Sequence, residues 1–364
     1  MNENGPATET SDASAPRALE ELARRAESAG ASDVHLQMTG QNAAVSFRLD
    51  GVMVPFSPLP PGLAERVFGR IKYLARLKTY QDSIPQDGRI DKADLGTRDD
   101  VRVATYPAVT GEKIVLRLFT GLAERALDEL GLAEPVCREL QKCLQRSAGL
   151  VLLTGPAGSG KTTTIYGCLQ YLAGLGGRHI ITVEDPVEQV LPGIMQTEVS
   201  EERGLTFAKA ARHLLRQDPQ VLAIGEIRDE DTANTAVRAA LTGHLVISTL
   251  HTGSCKGVFE RLRVMCPDQF AVTATLELIL NQRLLRRLCL QCRGAGCAAC
   301  LQTGYQGRVV AAEWFRVDDQ ARLNLREQGP AAIQPSPGIE AAAMELVKSG
   351  VTNLAEYERT FGKA

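Results

Sequence analysis

One eight-residue segment, Gly155-Pro156-Ala157-Gly158-Ser159-Gly160-Lys161-Thr162, restricts the fold of this chain more than any other. It has the spacing GxxxxGK[ST], with the apolar run Leu150–Leu153 before it and a helical pattern from Lys161 onward. Strand, glycine loop and helix in that order are what a phosphate-binding loop requires. The glycines let successive backbone N–H groups turn inward around a polyphosphate, and the helix N-terminus behind them favours negative charge. In this reading the loop from Gly155 through Thr163 cradles the phosphates of a nucleotide. Lys161 reaches the β- and γ-phosphates, and Thr162 offers its hydroxyl to Mg²⁺.

A loop of this kind needs a covered sheet behind it. Apolar strands are expected at Leu150–Leu153, His179–Val183, Val221–Ile224 and Leu245–Leu250, with helices at about Lys161–Ala173, Thr206–Arg216 and Glu230–Leu241. Short, nearly all-apolar strands of this kind suit a parallel sheet buried on both faces. Two of them run into acids: Val221–Ile224 leads to Glu226, and Thr182-Val183 to Glu184 and Asp185. Chemistry in an open α/β sheet gathers at the carboxyl ends of strands. Two acids there suit Mg²⁺ retention through water and orientation of an attacking water. Asp185 also reads as a plain solvated strand-end charge. His244 and His251 bracket Leu245–Leu250 and read as part of a nucleotide-responsive edge.

The 364 residues exceed what one core holds, so two or three domains are expected. The pattern divides into a polar flexible arm over 1–15, a small α/β domain over 16–120, a connector over 121–131, a larger α/β core carrying the phosphate loop over 132–317 and a helical tail over 318–364. In the small domain a helix is expected from Pro16 to Ala29 and another from about Gly62 to Lys78. Strands are expected at Val34–Met38, Val45–Leu49 and Val52–Val54, with the Asp50-Gly51 hairpin signal before the third. Two more fall at Val101–Tyr106 and Lys113–Phe119, and the tail carries one helix over Ile339–Ser349.

Forty-one basic and 43 acidic side chains nearly balance, which argues against bulk attraction to nucleic acid or a charged membrane surface. The basic cluster Arg283, Arg286, Arg287 and Arg293 has no aromatic residues interleaved for base stacking, so no nucleic-acid partner is expected. No apolar run reaches the roughly 18 to 20 residues that span a bilayer. Met1–Ser14 has no apolar stretch, so no secretory signal is expected there.

Four segments in order make the chain resemble the secretion ATPases of type II secretion and type IV pilus assembly: GPAGSGKTTT (155–164), ITVEDPVE (181–188), GEIRD (225–229) and ALTGHLVISTLHT (240–252). Upstream, SDVHL (32–36), FRLDG (47–51), PQDGRI (85–90), VRVAT (101–105) and GEKIVLRL (111–118) also match, so the likeness runs from about Arg17 to Glu313. It implies a RecA-like P-loop core with a small PAS-like N-terminal α/β domain, working as a homo-hexamer whose small domain packs against a neighbour's nucleotide. It implies Glu184 as the acid that polarises the attacking water and Glu226 as the Walker B carboxylate. His244 and His251 become interface and γ-phosphate sensors, with Arg102 and Arg117, and less firmly Arg89, as arginines supplied to the phosphoryl group. It further implies an integral inner-membrane platform protein and a membrane-recruitment protein as partners, at the cytoplasmic face of the inner membrane.

Cys289, Cys292, Cys297 and Cys300 match the family's tetracysteine element, here within 286–310 and followed by Gly304-Tyr305-Gln306-Gly307-Arg308. Paired CxxC units point to a closed Zn²⁺ site. The family usually separates the pairs by a longer segment than Arg293-Gly294-Ala295-Gly296, so a redox-active or metal-free loop is the alternative. The other five cysteines read as small core residues. The chain is expected to be a short form without the larger N-terminal docking domain. Its cysteines, and the lack of an AIRNLIRE-like C-terminal motif, tilt the reading from retraction or conjugation-type secretion toward assembly. A catalytically weak nucleotide-binding regulator is the remaining alternative, and the intact Lys161, Thr162, Glu184 and Glu226 oppose it.

Overall fold

The computed structural model describes residues 14–118, 126–200 and 203–363. Most of the expected arm and the first half of the expected connector therefore lie outside the described residues. The described residues form two compact units, one within 14–118 with 295–304 and the other within 126–294 with 305–363.

The first unit begins with α1 (Ala15–Ser28), β1 (Ala31–Thr39), β2 (Asn42–Leu49), β3 (Val52–Pro55) and α2 (Leu63–Leu74). It continues with β4 (Gln86–Ile90), α3 (Lys92–Leu95), β5 (Val101–Tyr106) and β6 (Lys113–Leu118). The six strands make an antiparallel sheet in the order β3-β2-β1-β6-β5-β4. Val34 and Leu36 of β1 join Leu19, Leu22, Val67 and Ile71 of the helices in one core, while Asp33 and His35 alternate to the opposite face. β4 was not expected: Gln86, Asp87 and Gly88 are poor strand formers, and only an edge position with one paired flank accommodates them.

The second unit runs through α4 (Glu134–Leu144), β7 (Gly149–Thr154), α5 (Lys161–Leu175), β8 (Ile180–Glu184), β9 (Met195–Glu198), α6 (Phe207–Leu214) and β10 (Val221–Ile224). It continues with α7 (Glu230–Leu241), β11 (Leu245–Leu250), α8 (Cys255–Met265), α9 (Gln269–Thr275) and β12 (Leu276–Leu288). It closes with β13 (Tyr305–Arg316), α10 (Asp319–Gln328), α11 (Ile339–Lys348) and α12 (Leu354–Phe361). The sheet order is β13-β12-β7-β11-β10-β8-β9. Leu150 and Leu152 of β7 face the core beneath α6 to α9, whereas Val151 and Leu153 face the one beneath α4 and α5. Helices on both faces are why β7, β8, β10 and β11 are buried at every position and mostly apolar. Among the described residues no helix is long and apolar enough to cross a membrane.

The sheet departs from the expected all-parallel form at one edge. β12 runs parallel to β7, but β13 returns antiparallel along it from Leu278↔Arg316 to Leu288↔Tyr305. The tail packs on this two-stranded edge. Leu285 and Ala311 of the strands meet Ala343 and Tyr357 of α11 and α12. Glu356, with no solvent exposure, accepts from the backbone N and Nε of Arg286 at 2.9 and 2.8 Å and from Nε and Nη2 of Arg359 at 2.7 and 2.6 Å. The Arg286 guanidinium also stacks 3.9 Å over the Tyr305 ring. Glu313 of β13 joins two helix starts: its Oε1 accepts from the backbone N of Cys255 at 2.9 Å, and its Oε2 from that of Ile339 at 3.0 Å.

Candidate active site

The loop after β7 is built on glycines for steric reasons. Gly155, Gly158 and Gly160 have φ of 140°, 73° and 90°, a region that favours glycine. A Cβ on Gly155 would also lie 2.5 Å from the Gln282 carbonyl and 2.6 Å from Ser159 Oγ. Lys161, 8% exposed at the first position of α5, turns its Nζ onto the carbonyls of Gly155 and Pro156, both at 2.9 Å. Burial lowers the pKa of this ammonium, and nearby Glu226 opposes the shift. The buried Ser159 hydroxyl has no partner among the described residues. An orphaned donor, a fixed cation and the unpaired first amides of α5 together fit a phosphate chain.

Lys161, Thr162, Tyr166, Glu184, Glu226 and His251 line one cavity of about 260 Å³. Glu184, the last residue of β8 and 8% exposed, is held by three donors. Its Oε1 accepts from Thr182 Oγ1 at 2.5 Å and Gln196 Nε2 at 2.9 Å, and its Oε2 from the Tyr166 hydroxyl. Glu226, two residues beyond β10, accepts from His251 Nε2 at 3.0 Å and from Arg228 Nε. Arg228 also pairs with Asp185 at 3.1 Å, so a single guanidinium links the acids of both strand tips. Thr162, beside these carboxylates, supplies the hydroxyl that suits a Mg²⁺ site.

His244 does not join this group. It lies at the far end of β11, roughly 20 Å from His251 at the rise of an extended strand, with Nδ1 2.9 Å from the Ala239 carbonyl. Arg89, Arg102 and Arg117 belong to the other unit, where they stand opposite one another across β4, β5 and β6. There Arg117 pairs with Asp33 at 2.9 Å and Arg89 with Asp100 at 2.6 Å. Sequence reasoning gave no role to Tyr166, Thr182, Gln196 or Arg228. Thr182 and Arg228 sit inside recognised segments and Tyr166 two residues past one, whereas Gln196 carries no local signal.

The Sγ atoms of Cys289, Cys292, Cys297 and Cys300 lie within 4.8 Å of one another, with Cys297 and Cys300 at 3.7 Å. Zn–S bonds of about 2.3 Å in a tetrahedron place sulfurs roughly 3.8 Å apart, so the cluster is compatible with zinc despite its short central segment. Of the remaining five, Cys143, Cys168, Cys255 and Cys266 are buried. Burial pushes the thiols of Cys143 and Cys266 up to about 11, as inert core residues require.

The family model for type II/IV secretion system proteins matches residues 8–359. The chain belongs to that family. This secretion-family chain is 40% identical over 359 residues to the putative type II secretion system protein E of Escherichia coli (strain K12), an alignment covering 90% of this chain and 72% of that protein. It is 38% identical over 362 residues to the type II secretion system ATPase E of Vibrio cholerae serotype O1, covering 91% and 72%. It is 37% identical over 369 residues to the type IV pilus assembly ATPase TfpB of Acinetobacter baylyi, covering 91% and 62%. The crystal structure of the pilus retraction motor PilT with bound ADP superposes with a TM-score of 0.67 at 28% identity, over 94% of this chain and 96% of that one. The Legionella pneumophila ATPase DotB gives 0.72 at 20% identity over 94% and 95%, a likeness of fold alone.

Proposed function

We propose that this chain is the ATP-hydrolysing subunit of a homo-hexameric motor that powers pseudopilus or type IV pilus assembly, as in type II protein secretion. The observation that carries the reading is the convergence of the Lys161-bearing glycine loop and two strand-tip carboxylates on one cavity. The loop and Lys161 bind and orient the triphosphate. Glu184, fixed by its three donors, orients a water for in-line attack and takes its proton as the water oxygen bonds to the γ-phosphorus and the bond to the β-phosphate oxygen breaks. Thr162 and, through water, Glu226 would hold Mg²⁺, which when bound neutralises charge on the phosphates. His251, bonded to Glu226, senses the γ-phosphate, and His244 serves a contact between subunits. Arg102 and Arg117 supply guanidinium charge to a nucleotide in the ring. An integral platform protein and a recruitment protein at the cytoplasmic face of the inner membrane complete the machine.

Assembly is favoured over retraction by two observations. The four-cysteine cluster is present. Relatives named for type II secretion or type IV pilus assembly are 37–41% identical.

The test is phosphate release by the purified chain. Glu226→Gln is expected to bind a fluorescent ATP analogue much as the parent does and to turn over roughly 100-fold more slowly. A parent with no turnover even alongside its membrane partner, or a variant at the parent's rate, would defeat the reading. Elemental analysis is expected to find one zinc per chain, and chelation should expose four titratable thiols in 289–300. Four titratable thiols and no zinc in the untreated protein would remove the metal.

A further inference from the structure

We propose that Tyr166 is a positioning residue that ties the Glu184 carboxylate to the helix bearing the phosphate loop. The proposal rests on the reading of Glu184 as the water-orienting acid and deepens it. Tyr166 lies on α5 five residues after Lys161, little more than one helical turn from the end of the loop. Its side chain is 2% exposed, so its hydroxyl is fixed by protein groups. That hydroxyl donates to Glu184 Oε2 and accepts from the backbone N of Glu188 at 3.2 Å. One oxygen thus joins the phosphate-loop helix to the tip of β8 and to the chain that follows it. Burial and the neighbouring Glu184 both raise the phenol's pKa, which keeps it a donor.

The other two donors to Glu184 come from the sheet: Thr182 from β8 itself and Gln196 from β9, both on Oε1. They hold the carboxylate to its own strand and carry no information from the loop. Among the described donors to Glu184, Tyr166 alone comes from α5. An ionised carboxylate offers about four lone-pair sites. Three are filled here, so the direction left for a water is set by the other three. Without the phenol, Oε2 has no donor from the protein in these contacts, and the carboxylate is held through Oε1 alone. The hydroxyl thus fixes the position of Oε2 relative to the helix that carries Lys161.

Tyr166→Phe keeps the ring and deletes only the hydroxyl. In the full chain it is expected to leave KM and fluorescent-ADP affinity within about twofold and to lower kcat roughly 10- to 100-fold, the rate equivalent of one hydrogen bond to a charged group. Tyr166→Met, a second side chain without a donor and of adaptable shape, should show the same split. Because Tyr166 acts through Glu184, the double variant Tyr166→Phe/Glu184→Gln should be no slower than Glu184→Gln alone. Parental kcat in Tyr166→Phe, beside a slow Glu184→Gln, overturns the proposal and leaves the role of Glu184 standing. Multiplying losses in the double variant, or a raised KM with kcat unchanged, also overturn it, since the phenol would then act elsewhere. A Glu184→Gln enzyme at the parental rate removes both the proposal and the reading beneath it. Thr182→Val should lose less than Tyr166→Phe, because Gln196 still serves the same oxygen.

Discussion

Replacing Lys161 with Ala is expected to lower ATP turnover by about 10³-fold while the protein stays folded. The ammonium is the one cation anchored inside the glycine loop, held by two loop carbonyls and screened from water by burial. A charge so fixed needs no reorganisation as negative charge develops on the transferred group, which is why its removal acts on rate. Stability should change less: water can replace the lost donor at exposed Pro156, and only the buried Gly155 carbonyl is left without one, a cost of about 1–3 kcal/mol. Lys161→Arg should remain strongly impaired, since a planar fork does not fit a site shaped for a compact ammonium. Phosphate release under saturating ATP, with circular dichroism as the folding control, decides the matter. A folded Lys161→Ala protein at near-parental turnover would reject the phosphate-cradle assignment.

The largest stability effect is expected far from that loop, at Glu356→Ala. The carboxylate is fully buried and satisfies two arginines, so its deletion leaves the 14%-exposed Arg286 side chain without its carboxylate partner. Breaking a buried pair by removing one partner costs about 3–5 kcal/mol. The lower end is expected, because the Arg359 side chain is 43% exposed and can turn to water. The one tryptophan of the chain, Trp314, lies on β13 beside this region, so its fluorescence during urea unfolding follows the right unit. An unchanged midpoint would show that the tail does not brace β12 and β13.

The same residue carries a pH signature. Burial alone would raise its pKa, but the guanidinium donors of Arg359 and Arg286 outweigh burial and hold the carboxyl below its ordinary range. A depressed acid contributes stability above its unfolded value, about 4.3, and loses that contribution as pH falls through the folded value. The difference in stability between the parent and Glu356→Ala should therefore be level above about pH 5 and narrow on further acidification.

What the sequence disclosed follows from where side chains point. β7, β8, β10 and β11 are covered on both faces, so they are dominated by apolar residues and their positions were readable. β12 reads LELILNQRLLRRL, a mixture of leucines and polar residues as compatible with a helix as with a strand. Asn281 and Gln282 are buried in it because they bond to Gly253 and Thr164, partners that lie 28 and 118 residues away. Glu184 and Glu226 were visible as acids ending apolar strands. The donors that orient Glu184 were not, because the contacts of Tyr166 and Gln196 with it arise only when α5, β8 and β9 come together. His244 and His251 look like a pair in the sequence, yet the strand between them carries them to opposite ends of the sheet. The fourfold cysteine spacing, by contrast, is local and was readable outright.

Glu313 spends its two oxygens on the first amides of α8 and α11, one helix leaving the His251 segment and the other opening the tail. Two stretches of chain more than seventy residues apart thus share a single clasp. Asn281 of β12 adds a third donor to the same carboxylate at 3.1 Å, so replacing Glu313 is expected to disturb two helix starts and the strand next to β7 at once.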